Sequence, residues 1–180
     1  MGQITLILGG ARSGKSSYAL RLAEDSRKPV TFIATAQAYD DEMSARIQRH
    51  KAERHTNWQT LELPLNIAPS VSQIRSDLVI LDCVTLWVTN LMMQFVKDDL
   101  VDEAPFMRAA QTETEALLSA IRKTEQAWLI VSNEVGLGLV PPYQMGRVYR
   151  DGLGWANQRL AQAADRVILM VAGIPMTVKG

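Results

Sequence analysis

The sequence predicts an α/β fold in which a mostly parallel, doubly wound sheet carries helices on both faces. Three observations indicate this class. A glycine-rich turn joins an apolar strand to a helical pattern, five or six apolar runs alternate with helices, and polar residues follow several of those runs. With 180 residues, 47% of them apolar, the chain is predicted to form one domain, residues 1–180, with a substantial core.

The first strand, Ile4–Leu8, leads through the turn GGARSG into a helix that opens at Lys15. The segment fits G-x-x-x-x-G-K-[ST] between a strand and a helix, which is the setting of a phosphate-binding loop. Glycines let backbone N–H groups converge on phosphate oxygens, Lys15 neutralises the β- and γ-oxygens, and Ser16 is placed for Mg²⁺. A chance glycine-rich turn is the alternative. The motif predicts a fold of P-loop NTPase type. The predicted phosphate-binding residues are Gly9, Gly10, Ala11, Arg12, Ser13, Gly14, Lys15 and Ser16.

A second strand, Val30–Thr35, precedes a helix over residues 40–55 that contains both histidines. Helical spacing places Met43, Arg46, Ile47, His50 and Arg54 on one face. An isolated histidine in such a stripe is often a half-buried residue that packs beside its apolar neighbour. The surrounding cations favour a phosphate-binding or phosphate-attacking role for His50 instead.

The next strands bring an acid to the predicted sheet. Residues 57–63 form a possible third strand, with Glu62 on a solvated face, and residues 65–76 form a short helix. The run Leu78–Asp82 is apolar and ends in a carboxylate, which is the Walker B pattern of a Mg²⁺ ligand at a strand tip. Ser16 and Asp82 are therefore the predicted metal ligands.

The second half continues the alternation. A helix over residues 83–95, with Thr85 as its cap, is apolar enough for core or subunit contact, and residues 97–104 form a charged loop. A helix from Pro105 to Thr124 precedes the strand Trp128–Asn133. The cations near Gly152 and Gly154 indicate either a lid or an exposed turn. A helix over 155–164, a strand over 166–171 and an edge strand or coil over 176–179 complete the chain.

Charge and composition narrow the class of protein. Lys plus Arg and Asp plus Glu both number 19, which gives no support for nucleic-acid or membrane binding. No apolar run approaches the roughly 18 residues of a membrane span. The start of the sequence lacks the features of a signal peptide, and Cys83 is the single cysteine. We therefore expect a cytoplasmic protein.

Five blocks together resemble one known family. GGARSGKS, DDEMSARIQRHKAER, LDCVTLWVTN, SNEVGLGLVP and GRVYRDGLGWANQRLA are similar to the bifunctional adenosylcobinamide kinase/adenosylcobinamide-phosphate guanylyltransferases of cobalamin biosynthesis, from Ile4 to about Gly173. The resemblance implies that ATP or GTP phosphorylates the aminopropanol hydroxyl of adenosylcobinamide. A histidine then attacks the α-phosphate of GTP, and the resulting GMP–histidine passes GMP to the cobinamide phosphate to give adenosyl-GDP-cobinamide.

The resemblance also assigns residues. The family pattern R-I-x-x-H falls on residues 46–50, which makes His50 the nucleophile and leaves His55, near the helix end, as a rival. The implied GTP contacts are the phosphate loop together with Ala34, Thr35, Ala36, Lys51, Ala52, Glu53, Arg54, Glu62 and Val84. Family members form homo-oligomers, reportedly trimers, which would suit the apolar 83–95 helix. Glu134 is a candidate for activating the acceptor hydroxyl, and the corrinoid-binding residues are not readable.

Two other functions fit the same motifs. In the first, the chain is a simple small-molecule kinase in which His50 only binds phosphate. In the second, it is a nucleotide-gated binding module with no chemistry. Covalent labelling by the α-phosphate of GTP separates the bifunctional enzyme from both, because neither alternative forms a protein-bound nucleotide.

Overall fold

The computed structural model describes residues 2–38, 41–52 and 55–180, and at positions 42, 43, 46, 49, 50 and 52 it describes the backbone alone. In this part of the chain, seven strands form one sheet in the order β3-β2-β4-β7-β1-β8-β9. The strands are β1 (Gln3–Gly9), β2 (Val30–Ala34), β3 (Gln59–Glu62), β4 (Leu78–Asp82), β7 (Ala127–Val131), β8 (Arg166–Val171) and β9 (Ile174–Lys179). All neighbours pair in parallel except β8 and β9, so the predicted doubly wound α/β class is confirmed.

Helices lie on both faces of this sheet. They are α1 (Lys15–Ser26), α2 (Asp41–Ala52), α3 (Ile67–Ser70), α4 (Val84–Met93), α5 (Glu103–Arg122) and α6 (Gln144–Ala163). Successive residues of a strand face opposite sides of a sheet. Along β4, Leu78 and Ile80 therefore join the apolar cluster that contains α1, whereas Val79 and Leu81 join the cluster that contains α4, α5 and α6. Burial on both faces explains why this strand reads as an unbroken apolar run.

Several elements largely follow the predicted pattern. The strand Leu78–Asp82 has the predicted bounds, and β9 takes the edge-strand alternative, antiparallel to β8. Thr35 lies just outside β2. The predicted helix over 65–76 is shorter than expected, with α3 followed by a 3₁₀ turn, Val71–Gln73. The apolar residues of α4 are mostly buried within the chain, which resolves that alternative largely in favour of core.

Three predictions in the second half are wrong. Residues 97–104 are not simply a charged loop, because β5 (Val96–Lys97) and β6 (Leu100–Val101) pair there and α5 begins at Glu103, ahead of Pro105. Thr85 is not a cap, since Cys83 occupies the N-cap position of α4. Helix α6 begins at Gln144 rather than Trp155 and includes the cationic segment, which is therefore not an exposed turn. Tertiary packing overrides the low helix propensity of glycine there. At Gly152, a Cβ would lie 2.6 Å from the Phe106 ring, so a close approach to α5 requires glycine.

Candidate active site

The loop between β1 and α1 has a backbone that only glycine accommodates at its two ends. Gly9 has φ +152° and Gly14 has φ +90°, and Gly14 forms the N-cap of α1. A Cβ at Gly9 would lie 2.6 Å from both the Met170 carbonyl oxygen and Ser13 Oγ. The strand, tight loop and helix N-terminus thus have the arrangement that the phosphate-loop motif predicts, with the positive end of α1 beside the loop.

Lys15 places a cation inside this loop. The residue is 7% exposed, and Nζ donates hydrogen bonds to the Gly10 carbonyl oxygen at 2.5 Å and to Ser13 Oγ at 3.4 Å. The loop is tied to the neighbouring β8–β9 turn, because the Gly173 amide donates to the Ser13 carbonyl oxygen at 3.0 Å. The ammonium group is therefore held against the loop by groups of the loop itself.

Strand β7 separates the phosphate-loop strand β1 from the acid-bearing strand β4. Asp82 is the last residue of β4. Burial, reinforced by the charge of Asp82, raises the pKa of the Cys83 thiol to about 11, while the charge of Lys15 lowers that pKa. Asp82 lies at the carboxyl end of β4, and Lys15 follows β1 at the carboxyl edge of the same sheet. This is the edge at which parallel α/β sheets bind ligands.

The end of β7 is held by a group of polar residues, which we call the β7 cluster and which includes side chains from α4 and α6. It consists of Thr85, Ser132, Asn133, Tyr149 and Asn157. Ser132 Oγ donates to Asn157 Oδ1 at 2.7 Å, and Asn157 Nδ2 donates to the Asn133 carbonyl oxygen at 2.9 Å. The Asn133 amide donates to Thr85 Oγ1 at 2.9 Å, and Tyr149 Oη donates to the Thr85 carbonyl oxygen at 3.2 Å. Burial raises the pKa of Tyr149 to about 12, so its hydroxyl stays protonated at neutral pH.

Sequence reasoning missed the roles of Thr85, Tyr149 and Asn157. One signal was available for Asn157, because it lies on the face of α6 that also carries Leu153 and Leu160. A polar residue at a buried helical position needs a hydrogen-bond partner. The sequence does not show which strand end supplies that partner, since Asn133 lies 24 residues away.

Apart from the phosphate loop, most of the nucleotide contacts that the resemblance implies lie in two groups. Thr35 Oγ1 donates to the Cys83 carbonyl oxygen at 2.8 Å and accepts from the Cys83 amide at 2.9 Å, which ties the Ala34–Ala36 loop to the tip of β4. Val84 is fully buried in the core, so its side chain is not available to a ligand. In the second group, Lys51 and Glu62 form an ion pair at 2.5 Å. Glu53, Arg54 and the side chain of Ala52 lie outside the described residues.

The two histidines differ in position. His50 belongs to α2, which follows β2 at the carboxyl edge of the sheet, and its side chain lies outside the described atoms. His55 follows the helix, is exposed, and stacks on Trp58 with ring centroids 6.2 Å apart. Its Nδ1 accepts from the Asn57 amide at 3.4 Å. The rival histidine is therefore engaged in a local turn.

The sequence predicts two protein ligands for a metal ion, Ser16 and Asp82. Within residues 2–38, 41–52 and 55–180, no group of three or more His, Cys, Asp or Glu side chains could hold a metal alone. Mg²⁺ usually takes one or two protein oxygens and completes its shell with phosphates and water. Ser16, at the start of α1, and Asp82, at the tip of β4, fit that requirement.

The fold and this site define a P-loop nucleotide-binding protein. Solved structures of low sequence identity share the fold: the RadB recombinase, with TM-score 0.51 and 13% identity over 93% of this chain and 74% of that one, and a type III secretion system ATPase, with TM-score 0.58 and 9% identity over 98% and 57%.

Sequence comparison gives the family. The family model described as cobinamide kinase / cobinamide phosphate guanyltransferase matches residues 5–178. Two similar proteins carry the name bifunctional adenosylcobalamin biosynthesis protein. CobP of Pseudomonas aeruginosa is 44% identical over 97% of this chain and 96% of its own, and CobU of Salmonella typhimurium is 41% identical over 97% and 98%. The chain therefore belongs to the cobinamide kinase/cobinamide phosphate guanyltransferase family, and the predicted resemblance is confirmed.

Membership makes the chain a bifunctional enzyme of adenosylcobalamin biosynthesis, both a kinase and a nucleotidyltransferase. This excludes the non-enzymatic binding module. None of the helices formed by the described residues combines the length and apolar composition that a membrane crossing needs.

Proposed function

We propose that the guanylyltransferase reaction proceeds through a covalent GMP adduct on His50. A neutral imidazole nitrogen attacks the α-phosphorus of GTP, an N–P bond forms, and the bond from that phosphorus to the α,β-bridging oxygen breaks to release pyrophosphate. A phosphate oxygen of cobinamide phosphate then attacks the same phosphorus and the N–P bond breaks. The acceptor receives GMP, giving adenosyl-GDP-cobinamide when it carries the adenosyl group.

The position of α2 carries this proposal. Three strand spacings of about 4.8 Å separate β2 from β1, so their tips lie roughly 14 Å apart. His50 follows the first residue of α2 by nine positions, which is also about 14 Å along a helix axis. Helix α2 begins seven residues after the last residue of β2, and its length up to His50 matches this spacing. This supports placing His50 near a nucleotide held beside β1, whereas His55 lies beyond the end of the helix.

The residues of the loop edge take separate roles in this proposal. The amides of residues 10–14 and Lys15 bind the triphosphate, and Ser16 with Asp82 would hold Mg²⁺. When bound, this ion would neutralise charge that develops on the leaving phosphates. The backbone of residues 34–36 and residues 51–54 are proposed to contact the rest of GTP. The ion pair of Lys51 with Glu62 keeps a cation and a carboxylate together there.

The kinase reaction is proposed to use the same loop, with ATP or GTP as donor and the aminopropanol hydroxyl of adenosylcobinamide as acceptor. One triphosphate cradle serves both reactions because the reacting phosphorus differs: the γ-phosphorus for the kinase and the α-phosphorus for guanylyl transfer. We further propose that the chain forms a homo-oligomer, with a trimer as the state that the resemblance implies. Edge strand β9, which exposes Ile174, Met176 and Val178, supports this better than the buried face of α4.

Covalent labelling tests the proposed nucleophile. The protein is incubated with GTP labelled at the α-phosphate and with Mg²⁺, then denatured. We expect acid-labile, base-stable label on the wild type and on His55→Ala, and none on His50→Ala. Label that persists on His50→Ala contradicts the assignment. If the wild type transfers γ-phosphate to cobinamide yet takes no label, His50 has only a phosphate-binding role.

A further inference from the structure

Glu134 directly follows Asn133 at the end of β7, the strand that lies between the phosphate-loop strand and the strand that ends in Asp82. Strand β7 runs between β4, which ends in Asp82, and β1, which enters the phosphate loop. The Glu134 amide donates to the Gly9 carbonyl oxygen at 3.1 Å, and the Ser132 amide donates to the Ile7 carbonyl oxygen at 3.0 Å. The Glu134 backbone is therefore bonded directly to the first residue of the phosphate-loop motif.

This position is fixed from several sides. Both backbone polar groups of Asn133 have partners, the amide on Thr85 Oγ1 and the carbonyl oxygen on Asn157 Nδ2. The Glu134 carboxylate is oriented as well, since Oε1 accepts from the Gly136 amide at 2.6 Å. Within the described part of the chain, no hydrogen bond engages the second carboxylate oxygen. Side chains held in this way are what a catalytic position requires.

The other polar groups at the end of β7 are committed elsewhere. The Ser132 hydroxyl is fully buried and bonded to Asn157, and the Tyr149 hydroxyl is bonded to the Thr85 carbonyl oxygen. Asp82 is the proposed metal ligand. Glu134 is only half-buried, so an acceptor can reach it from solvent. Among these groups it is the base that a hydroxyl approaching the γ-phosphate would meet.

We infer that Glu134 is the catalytic base of the kinase reaction. The inference rests on the proposed placement of the triphosphate in the phosphate loop. As the cobinamide hydroxyl oxygen attacks the γ-phosphorus, an O–P bond forms and the bond between that phosphorus and the β,γ-bridging oxygen breaks. The nucleoside diphosphate leaves with the electron pair, and the hydroxyl proton passes to the Glu134 carboxylate. Guanylyl transfer does not need this base, because its acceptor is already an ionised phosphate.

The bifunctional chemistry supplies the internal control for the test. Glu134→Gln retains an oxygen for the Gly136 amide but cannot take a proton. We expect its kcat/KM for cobinamide phosphorylation to fall about 100-fold or more, the usual contribution of a general base. Its GTP affinity, and its guanylyl transfer to supplied cobinamide phosphate, should stay within about twofold of wild type. The matched control is Glu125→Gln, an exposed glutamate just before the opposite end of β7, which should leave both activities unchanged.

Chemical rescue separates a proton-transfer role from a structural one. Formate added to Glu134→Ala should restore part of the phosphorylation rate, whereas the same concentration of chloride should not. Normal phosphorylation by Glu134→Gln, or a parallel loss of both activities and of GTP affinity, overturns the inference. These results are independent of the His50 label: a wild type without label refutes the histidine nucleophile but leaves the comparison of phosphorylation rates intact.

Discussion

Two neighbouring strand ends form the core of this site, and they are built differently. The phosphate loop after β1 is shaped by backbone: Gly9 and Gly14 adopt positive φ angles and Lys15 bonds within its own loop. The end of β7 is shaped by side chains from α4 and α6, which bond the amide and the carbonyl oxygen of Asn133. The first arrangement is local in sequence and the second is assembled from distant residues. The comparison shows that one sheet edge can combine a motif-encoded site with one that only the fold creates.

The largest loss of stability is expected when a side chain is added to the phosphate loop. In Gly9→Ala, the new Cβ meets the Met170 carbonyl oxygen and the backbone must keep a positive φ, so we expect a loss of about 2–5 kcal/mol in the free energy of unfolding. Denaturant unfolding measures it. Gly10→Ala is the matched control for stability, because nothing lies within 4 Å of its Cβ position. Equal unfolding midpoints for the two variants would contradict the proposed strain.

A loss of stability is also expected when Asn157, whose side chain bonds both Ser132 and Asn133, is replaced. Asn157→Leu is similar in size but leaves Ser132 Oγ and the Asn133 carbonyl oxygen without partners. We expect a loss of about 2–4 kcal/mol in the free energy of unfolding, because each unsatisfied buried polar group costs about 1–3 kcal/mol. The kinase rate should fall more than GTP affinity, since Glu134 is the next residue along. A variant as stable as wild type would show that water or a shifted side chain replaces Asn157.

A surface contact of the same helix should matter least. Two residues beyond Asn157, Arg159 Nε donates to Glu115 Oε1 at 2.5 Å, and this bond lowers the pKa of Glu115. A carboxyl group whose pKa is lowered by folding adds stability above its ordinary pKa and loses that contribution as pH falls through the lowered value. The difference in unfolding free energy between wild type and Glu115→Gln should therefore be small at pH 7 and vanish in acid. A difference that grows on acidification would contradict the sign.

Sequence patterns predicted the sheet well because its strands and first loop are local signals. The apolar run of β4 and the turn from Gly9 to Ser16 each carry their evidence within a few residues. The errors fall where distant contacts decide. Gly152 interrupts a helical pattern in the sequence, yet α6 continues because its close approach to Phe106 stabilises it. Threonine is a residue type that often caps helices, but the Thr85 hydroxyl bonds to an amide 48 residues away.

The site shows the same division. The placements of Lys15, Asp82 and Ser16 at the carboxyl edge were predictable because each belongs to a motif on one strand or helix. The tie between Thr35 and the Cys83 backbone was not, since it depends on β2 lying beside β4. The roles of His50, Glu134 and the nucleotide-contacting residues stay predictions.

The most direct test of the account measures both reactions in two variants of the full-length protein, His50→Ala and Glu134→Gln. Initial rates of cobinamide phosphorylation and of GMP transfer to cobinamide phosphate are determined side by side. The account predicts a reciprocal result, in which His50→Ala keeps phosphorylation and loses GMP transfer while Glu134→Gln does the opposite. If both variants lose the same reaction, or each loses both, then separate catalytic groups around one shared triphosphate cradle are ruled out.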